Sequence, residues 1–423
     1  MPLEVGTFPV RQMNFGSQTR WQDGVLEIDR DEILGLVMED AQLPKVALEI
    51  VRPGESVRVI NYSDIVEPKV KVEGPGTVYP GICGRPTTRV GEGRTHRLGG
   101  CAVIECIDTG GVGAEQGSNM RSQSGSPALY FDMSGTSAVT PNASRFGLCL
   151  IMEAPNLGPE DRHRVIHSAT LKVADKLAET VAHLDAPELE RFDLTPDPSL
   201  PGAVFIPHLA SSEWVAGPRS SLGFSVYGQT RLSAPWLLEG TEMLDGAVSQ
   251  GRSMVLSNNP VVEEMCRRHG NSFNFVGCII QRTNWTMQVE KEMAAERAAH
   301  LASRVGAQAA IVTTNIRGQR FVETVLTVQA CEQAGIKTVL LSGEEDHEGG
   351  TAPPFLVSPP ELVAVVSTGT GYVPAFPAVE KVVGAVSEAD EQWFGEMPAI
   401  PGRYGAYHNE DNYGIGRESL VDF

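Results

Sequence analysis

The segment Gly91-Glu92-Gly93-Arg94-Thr95-His96 gathers side chains that could do chemistry. Glycines flank a basic, polar run just ahead of an apolar stretch. The Arg94 guanidinium can clamp a carboxylate in bidentate fashion, and the His96 imidazole can pass a proton near neutral pH. The same residues can also form a charged turn held by an internal salt bridge, and residue type alone leaves both readings open. The seven cysteines, an odd number without a C-x-x-C pair, read as free thiols of a reducing compartment. Cys101, Cys149, Cys278 and Cys331 lie in apolar runs and read as small core residues. Cys83, in the Gly/Pro-rich stretch Tyr79-Pro80-Gly81-Ile82-Cys83-Gly84, is the candidate exposed thiol.

Other chemistry lacks an anchor. No G-x-G-x-x-G opens a helix after a strand, and there is no P-loop. Gly369-Thr370-Gly371 is short enough to read as a turn. No G-x-S-x-G elbow offers a serine nucleophile. His163 and His167 share a helical face at i,i+4 without the glutamate of a zinc-protease motif, so they read as helix-surface residues, and no metal site is expected.

The elements that must position these groups divide the chain into different textures. At 423 residues, two or three domains are expected from about 100–200 residues each. Hydrophobic content of 41% and charged content of 21% suit a globular protein with a filled core. A net charge of −19 argues against nucleic acid and anionic membrane surfaces as partners. No signal peptide is visible, and no stretch reaches the ~20 apolar residues of a membrane span, so a cytoplasmic location is expected.

The first part of the chain reads as β-rich. Valines alternate with charged residues over Val66–Val72, and Cys101–Ile107 is a second strand. Residues 109–130 are Gly/Ser-rich and read as a mobile loop or boundary. A strand at Phe146–Met152 precedes a helix over about Pro159–Leu184, and the acidic, Pro-rich residues 185–200 read as a surface connection before a strand at Ala203–Ile206. Beyond residue 255 strands and helices alternate. Asn259-Pro260 opens a helix that stops at Gly270. Strands at Phe273–Ile280, Ala309–Val312, Lys337–Leu341 and Leu362–Val366 are separated by helices over Met287–Val305 and Phe321–Ala334. That order predicts an α/β fold with a doubly wound, mostly parallel sheet, binding ligands outside the carboxyl ends of its strands. Those ends carry Thr313-Thr314-Asn315, Ser342-Gly343-Glu344-Glu345 and Ser367–Gly371.

A series of short motifs then runs in a familiar order. It comprises Glu49–Arg58 (EIVRPGESVR), Val70–Gly74 with Pro80-Gly81, Gly93–His96, Asp132-Met133-Ser134-Gly135, Asp245–Val248, Asn258–Val261, Arg268-His269-Gly270 and Asn274–Gly277. Together they resemble the proprotein subunit of component B of the glycine, sarcosine and betaine reductases, with the D-proline reductase proprotein as a more distant relative. The resemblance runs from about residue 5 to about residue 420. It implies a partner: a second component B protein whose reactive cysteine or selenocysteine attacks the α-carbon of a small substrate and expels an amine. It also implies that this subunit is split at an Asn-Cys pair, leaving a pyruvoyl group that forms a Schiff base with the substrate.

The chain departs from the family at that point. Where the family has Gly-Asn-Cys, this chain has Gly251-Arg252-Ser253, and no Asn-Cys pair occurs anywhere in it. The expectation is an intact polypeptide without a cofactor, with a pyruvoyl group at Ser253 only if the chain is processed there. The expected division is a β-rich domain over 1–135, an α/β middle region over 136–255 holding the altered processing loop, and a doubly wound C-terminal region over 256–423 with an irregular tail. The expected catalytic residues are His96 and Ser253. Arg94, Thr95, Asp245, Asn258 and Asn259 are the expected substrate-binding residues. Two functions stand side by side. One is a subunit of a hetero-oligomeric reductase that cleaves a carbon–nitrogen or other carbon–heteroatom bond. The other is a non-catalytic scaffold for the thiol- or selenol-bearing partner.

Overall fold

The computed structural model describes residues 1–107, 130–133, 145–155, 157–209, 225–229, 235–249, 253–282, 287–314, 319–344, 357–370, 372–373, 376–384, 391–396 and 400–401. The expectations placed on residues 109–129, Ser134, Gly135, Gly251, Arg252, Asn315, Glu345 and Gly371 lie outside them.

The N-terminal part is built on strands β1 (Leu3–Pro9), β2 (Lys45–Val51), β3 (Tyr62–Val66), β4 (Lys69–Glu73), β5 (Gly93–Gly99), β6 (Cys101–Ile107) and β7 (Phe146–Glu153), followed by helix α1 (Pro159–Glu179) and strand β8 (Glu188–Phe192). One sheet has the order β8-β1-β5-β4 and the other β2-β7-β6-β3. The single strand expected over Val66–Val72 is two strands, because Glu67-Pro68 interrupts it and proline offers no N–H to a ladder. The expected connection over 185–200 contains β8, which pairs antiparallel with β1. Its mostly exposed Glu-Leu-Glu-Arg-Phe sequence hides an edge strand from any search for apolar alternation.

The C-terminal part consists of β9 (Gly202–Leu209), β10 (Trp236–Leu238), the helices α2 (Gly240–Leu244), α3 (Ser253–Ser257) and α4 (Pro260–Arg268), then β11 (Asn274–Arg282), α5 (Gln288–Arg304), β12 (Ala307–Thr314), α6 (Gln319–Gln333), β13 (Lys337–Glu344) and β14 (Val365–Thr370). The strands form one six-stranded sheet of order β10-β11-β9-β12-β13-β14, parallel except for β10. This is the mixed α/β, mostly parallel arrangement expected from strand–helix alternation. Gly369 and Thr370, expected in a turn, are the last residues of β14, since parallel pairing with β13 extends to Glu344↔Thr370.

Local chemistry sets the helix ends as the sequence suggested. Asn259 caps α4 by accepting from the Val262 N–H at 3.1 Å, with Pro260 in the first turn. His269, just past its end, accepts from the Phe275 N–H through Nδ1 and contacts the Thr195 carbonyl through Nε2, which turns the chain into β11.

Three cores organise the packing. Helices α5 and α6 cover one face of the C-terminal sheet through Ala298, Ala302, Val325 and Val328 against Val204, Ile206, Ile279 and Val312. The other face packs through Phe205, Cys278 and Ile280 against α2, α3, α4 and the N-terminal sheets, so the two parts share one interior. A third core lies between α1 and the outer face of the β2-β7-β6-β3 sheet. The fully buried Arg58 locks a distant segment onto this body. Its guanidinium pairs with Asp132 at 3.0 Å and donates to the carbonyls of Pro377, Trp393 and Gly395. Replacing it leaves Asp132 buried without its cation. Arg58→Met should therefore cost about 3–5 kcal/mol in urea unfolding. It should also make the segment around residues 376–396 cleavable by limited proteolysis under native conditions.

Candidate functional site

Strand alternation decides which residues of the Arg94–His96 cluster can work together. On β5, Thr95 and Arg97 face one side, and Arg94 and His96 face the other. Arg94 is held by Glu4 through Nε at 2.9 Å and Nη2 at 2.6 Å. His96 is buried, with Nδ1 2.9 Å from the Val181 carbonyl and its ring against Phe8. Thr95 instead donates to Asp245 at 2.7 Å.

Asp245 opens the segment that leads to Ser253, and a buried set of charges fastens that segment at both ends. Its carboxylate accepts from the Gly91 N–H at 2.8 Å and pairs with Lys71. Lys69 lies two residues earlier on β4 and so on the same face. Its ammonium donates to the carbonyls of Leu244 at 3.2 Å and Ser257 at 3.1 Å, and pairs with Glu67 at 3.3 Å. Asn258 donates to Glu67 and accepts from Arg97 at 2.9 Å. Burial pulls the Lys69 ammonium below its usual range. Glu67 is also buried, which would raise its carboxyl, but the cations of Lys69, Arg97 and Arg145 outweigh this and hold it low. Gly246 completes the entry turn. At φ +81° it adopts a conformation that L side chains avoid, and a Cβ there would stand 2.5 Å from the Tyr79 ring. Asp245, Thr95 and Asn258 thus act together as the frame of the loop, and Asn259 caps the helix that follows.

Ser253, at the start of α3 and fully buried, meets a second polar group of side chains. Asp64 accepts its N–H at 2.8 Å through Oδ1 and its hydroxyl at 2.6 Å through Oδ2. Glu105 on β6 lies opposite Asp64 in the antiparallel β3/β6 register. It takes a short hydrogen bond from Ser63, and its Oε2 is 2.9 Å from His167 Nδ1. His167 Nδ1 is also 3.7 Å from Asp64 Oδ2. Every member is buried.

The surroundings tune these groups. Burial, only partly opposed by His167 and by the Ser253 hydrogen bonds, pushes the Asp64 carboxyl up to about 7. Burial alone would lower the His167 imidazole, but the Glu105 carboxylate beside it raises it overall. The site therefore holds a hydroxyl, a carboxyl that titrates near neutrality and an imidazole that favours its proton. That is equipment for accepting or delivering a proton in a place shielded from water.

His167 is not the helix-surface residue expected from its i,i+4 pairing with His163. It lies in line with Leu171, Ala174 and Ala178, a second apolar stripe that turns α1 into a helix buried on most sides. Two signals could have revealed the cluster. Glu105 interrupts the otherwise apolar run Cys101–Ile107, and His167 heads that second stripe. Cys83, expected to be exposed, is half-buried in a turn at φ +49°, and burial pushes its thiol up to about 12, far from a reactive thiolate. The remaining six cysteines are buried. Among the described residues no group of three or more histidine, cysteine or acidic side chains is arranged to hold a metal ion, and no helix is long and apolar enough to cross a membrane.

Breaking the loop frame from one side should be expensive. Lys71→Met leaves Asp245 buried and unpaired, and is expected to cost about 3–5 kcal/mol in chemical denaturation, with the Lys71→Met/Asp245→Asn double variant recovering a good part of it. The Ser253 cluster should show in the pH dependence of stability. The folded Asp64 pKa of about 7 exceeds its unfolded value, so its contribution is full at low pH and is lost as pH rises through about 7. The raised His167 acts in the same direction. Thermal melting of the protein should fall between pH 5 and pH 8, and Asp64→Asn should flatten that slope.

Comparison with known proteins gives this geometry a context. Residues 1–409 match the family model described as glycine/sarcosine/betaine reductase component B subunits. The sarcosine reductase complex component B subunit alpha of Peptoclostridium acidaminophilum is 30% identical over 405 residues, covering 91% of this chain and 89% of that protein. From the same organism, the glycine reductase complex component B subunits alpha and beta are 31% identical over 406 residues (92% and 91%). The betaine reductase complex component B subunit alpha is 31% identical over 393 residues (87% and 84%). No solved structure matches the chain.

Proposed function

Since the chain belongs to the family of glycine/sarcosine/betaine reductase component B subunits, we propose that it is a subunit of a component B-like reductase complex acting on a small carboxylate-type substrate as an uncut polypeptide. The relatives are named as subunits of reductase complexes, which supports a hetero-oligomeric assembly. In the proposed reaction a cysteine thiolate or selenocysteine selenolate of a second subunit attacks the substrate's α-carbon. The carbon–nitrogen, or other carbon–heteroatom, bond breaks, and its electron pair leaves with the heteroatom. The partner's sulfur or selenium then carries the carbon fragment until an external thiol attacks that atom, forming a sulfur–sulfur or selenium–sulfur bond while the carbon leaves with the electron pair of its broken bond and takes up a proton.

One observation supports the uncut reading: Asp64 accepts both the N–H and the O–H of Ser253, the residue at which the resemblance would put a cut. A pyruvoyl group at 253 would have neither donor. Its two carbonyl oxygens would meet the ionised form of Asp64 acceptor against acceptor, and only the protonated form could donate to one of them. Ser253 suits Asp64 in both forms better than that group does, and no step is assigned to it. Without a ketone to activate a primary amine, the substrate class narrows to molecules with a leaving group that needs no imine, such as a quaternary nitrogen. The protein's own contribution is a buried proton reservoir. Asp64, coupled to His167 and Glu105, can supply a proton through the Ser253 hydroxyl to the carbon fragment on its release, since a quaternary nitrogen departs as a neutral amine and takes none. Asp245, Thr95 and Asn258 position the loop, while Arg94 and His96, held by Glu4 and Val181, sit on the opposite side of β5.

The mass of the purified protein tests this directly. A single species near 45.5 kDa is expected, with no fragments that meet at residue 253. Reconstituted with its partner, the Ser253→Ala and Asp64→Asn variants should lose turnover by about two orders of magnitude, the usual scale of a proton-transfer contribution. Full activity in both variants would favour a scaffold role, and a carbonyl-blocked new terminus at residue 253 would remove the uncut reading.

A further inference from the structure

The centre of the C-terminal sheet contains polar groups that neither the fold nor the Ser253 cluster uses. His208, near the end of β9, is fully buried, and neither ring nitrogen has a hydrogen-bond partner. Gln281 on β11 is 1% exposed, and its Oε1 has no partner either. These two residues are aligned in the parallel β9/β11 register, so their side chains leave the same face of the sheet about 4.8 Å apart. That face is the one covered by α5 and α6, because Ile206 and Ile279, each two residues earlier, belong to the core beneath those helices. Thr324, on the sheet side of α6 beside Val325, is fully buried with an unpartnered hydroxyl. Thr313 is also unpartnered, but it aligns with Pro207 and faces the other side.

The location is where an open α/β sheet binds ligands. The connection from β9 leaves through α2, α3 and α4 on one face. The connections from its neighbours β11 and β12 leave through α5 and α6 on the other. Open α/β sheets bind ligands beside the carboxyl end of a strand where connections diverge in this way, and His208 stands near that end of β9. A buried polar atom without a partner is costly, so a chain that keeps three such atoms on one face of the sheet there, under a helix that carries a fourth, has a deficit that a ligand can remove.

We propose that the His208–Gln281 end of the sheet holds a second binding site, separate from the Ser253 cluster, for a small uncharged molecule bearing several hydroxyl groups. The charges among the described residues favour an uncharged ligand. Burial lowers the His208 imidazole to about 3, so the ring is neutral at physiological pH. The buried Lys291 and Glu323 of the flanking helices lie 3.7 Å apart and offset each other. An ion entering this layer would lose its hydration, and the described residues there offer no opposite net charge to replace it. The hydrogen-bonding pattern specifies the rest. A neutral imidazole offers one donor and one acceptor, Gln281 Oε1 accepts, and the Thr324 hydroxyl does both. A ligand that meets all of these must donate at least twice and accept at least once. Hydroxyl groups on adjacent carbons do that with uncharged atoms.

The test uses the full-length protein with glycerol, D-ribose and myo-inositol as probes and D-ribose 5-phosphate as a charged counterpart. Binding is followed by saturation-transfer NMR and by the ring ¹⁵N signals of His208. At least one uncharged probe is expected to saturate and to move the His208 signals. His208→Leu and Gln281→Leu should each weaken it by about tenfold or more, the scale of a lost hydrogen bond to a buried group, while near-ultraviolet circular dichroism stays native. Should His208→Leu fail to fold, Gln281→Leu carries the comparison. The proposal fails if none of the three probes saturates, if binding is unchanged in the variants, if the phosphorylated sugar binds more tightly, or if a high-resolution crystal soaked with the probes shows ordered water alone against His208. None of these readouts uses reductase activity, so the result is independent of the function proposed above.

Discussion

The two lysines of β4 hold the site together. Lys69 and Lys71 project from one face of a five-residue strand into the segment from Leu244 to Asn258. They grip its start through Asp245 and the Leu244 carbonyl, and its end through Ser257 and Asn258. Buried ion pairs seldom add much net stability, since both charges must be stripped of water. Their value here is positional. A carboxylate that would be left bare by any shift of register permits one arrangement of the loop, and that arrangement sets the Ser253 hydroxyl on Asp64 rather than on solvent. The neighbouring glycine reinforces the same choice, because Gly246 takes a left-handed turn against the Tyr79 ring where no side chain fits.

The Ser253 cluster uses low polarity differently. Around Lys69 opposite charges alternate and offset one another. Around Asp64 two carboxyl groups, Asp64 and Glu105, share one imidazole, so the group cannot ionise fully without repulsion. One proton more or fewer near neutral pH is the natural consequence. The frame depends on β4, β5 and the segment's ends rather than on the residue at 253.

The order of elements beyond residue 255 was legible in the chain. Asn259-Pro260 before α4, Gly270 after it, and the apolar runs of β11, β12 and β13 separated by Ala- and Glu-rich helices each obey local rules of capping and period. The Asp245 and Asn258 motifs also stood out, through their order along the chain. What failed was local as well. β8 looked like a connection because a strand exposed at an edge carries no apolar alternation, and His167 looked like a surface residue because the i,i+4 pairing with His163 drew attention away from the stripe it shares with Leu171 and Ala174.

The sequence by itself determined the fold class and the family, because these depend on residue types read along a line. Tertiary structure alone decided which of those residues act together. Thr95 and His96 are neighbours in the chain, yet the pleat of β5 sends one to Asp245 and the other to Val181, on opposite sides of the sheet. Asp64, Glu105, His167 and Ser253 span 189 positions, yet they meet within hydrogen-bonding or ion-pair distance because antiparallel pairing of β3 with β6, the seat of α1 and the clamped loop converge on one point. Pairing between distant strands is set by the shape of the shared core, and no period or spacing in the chain records it.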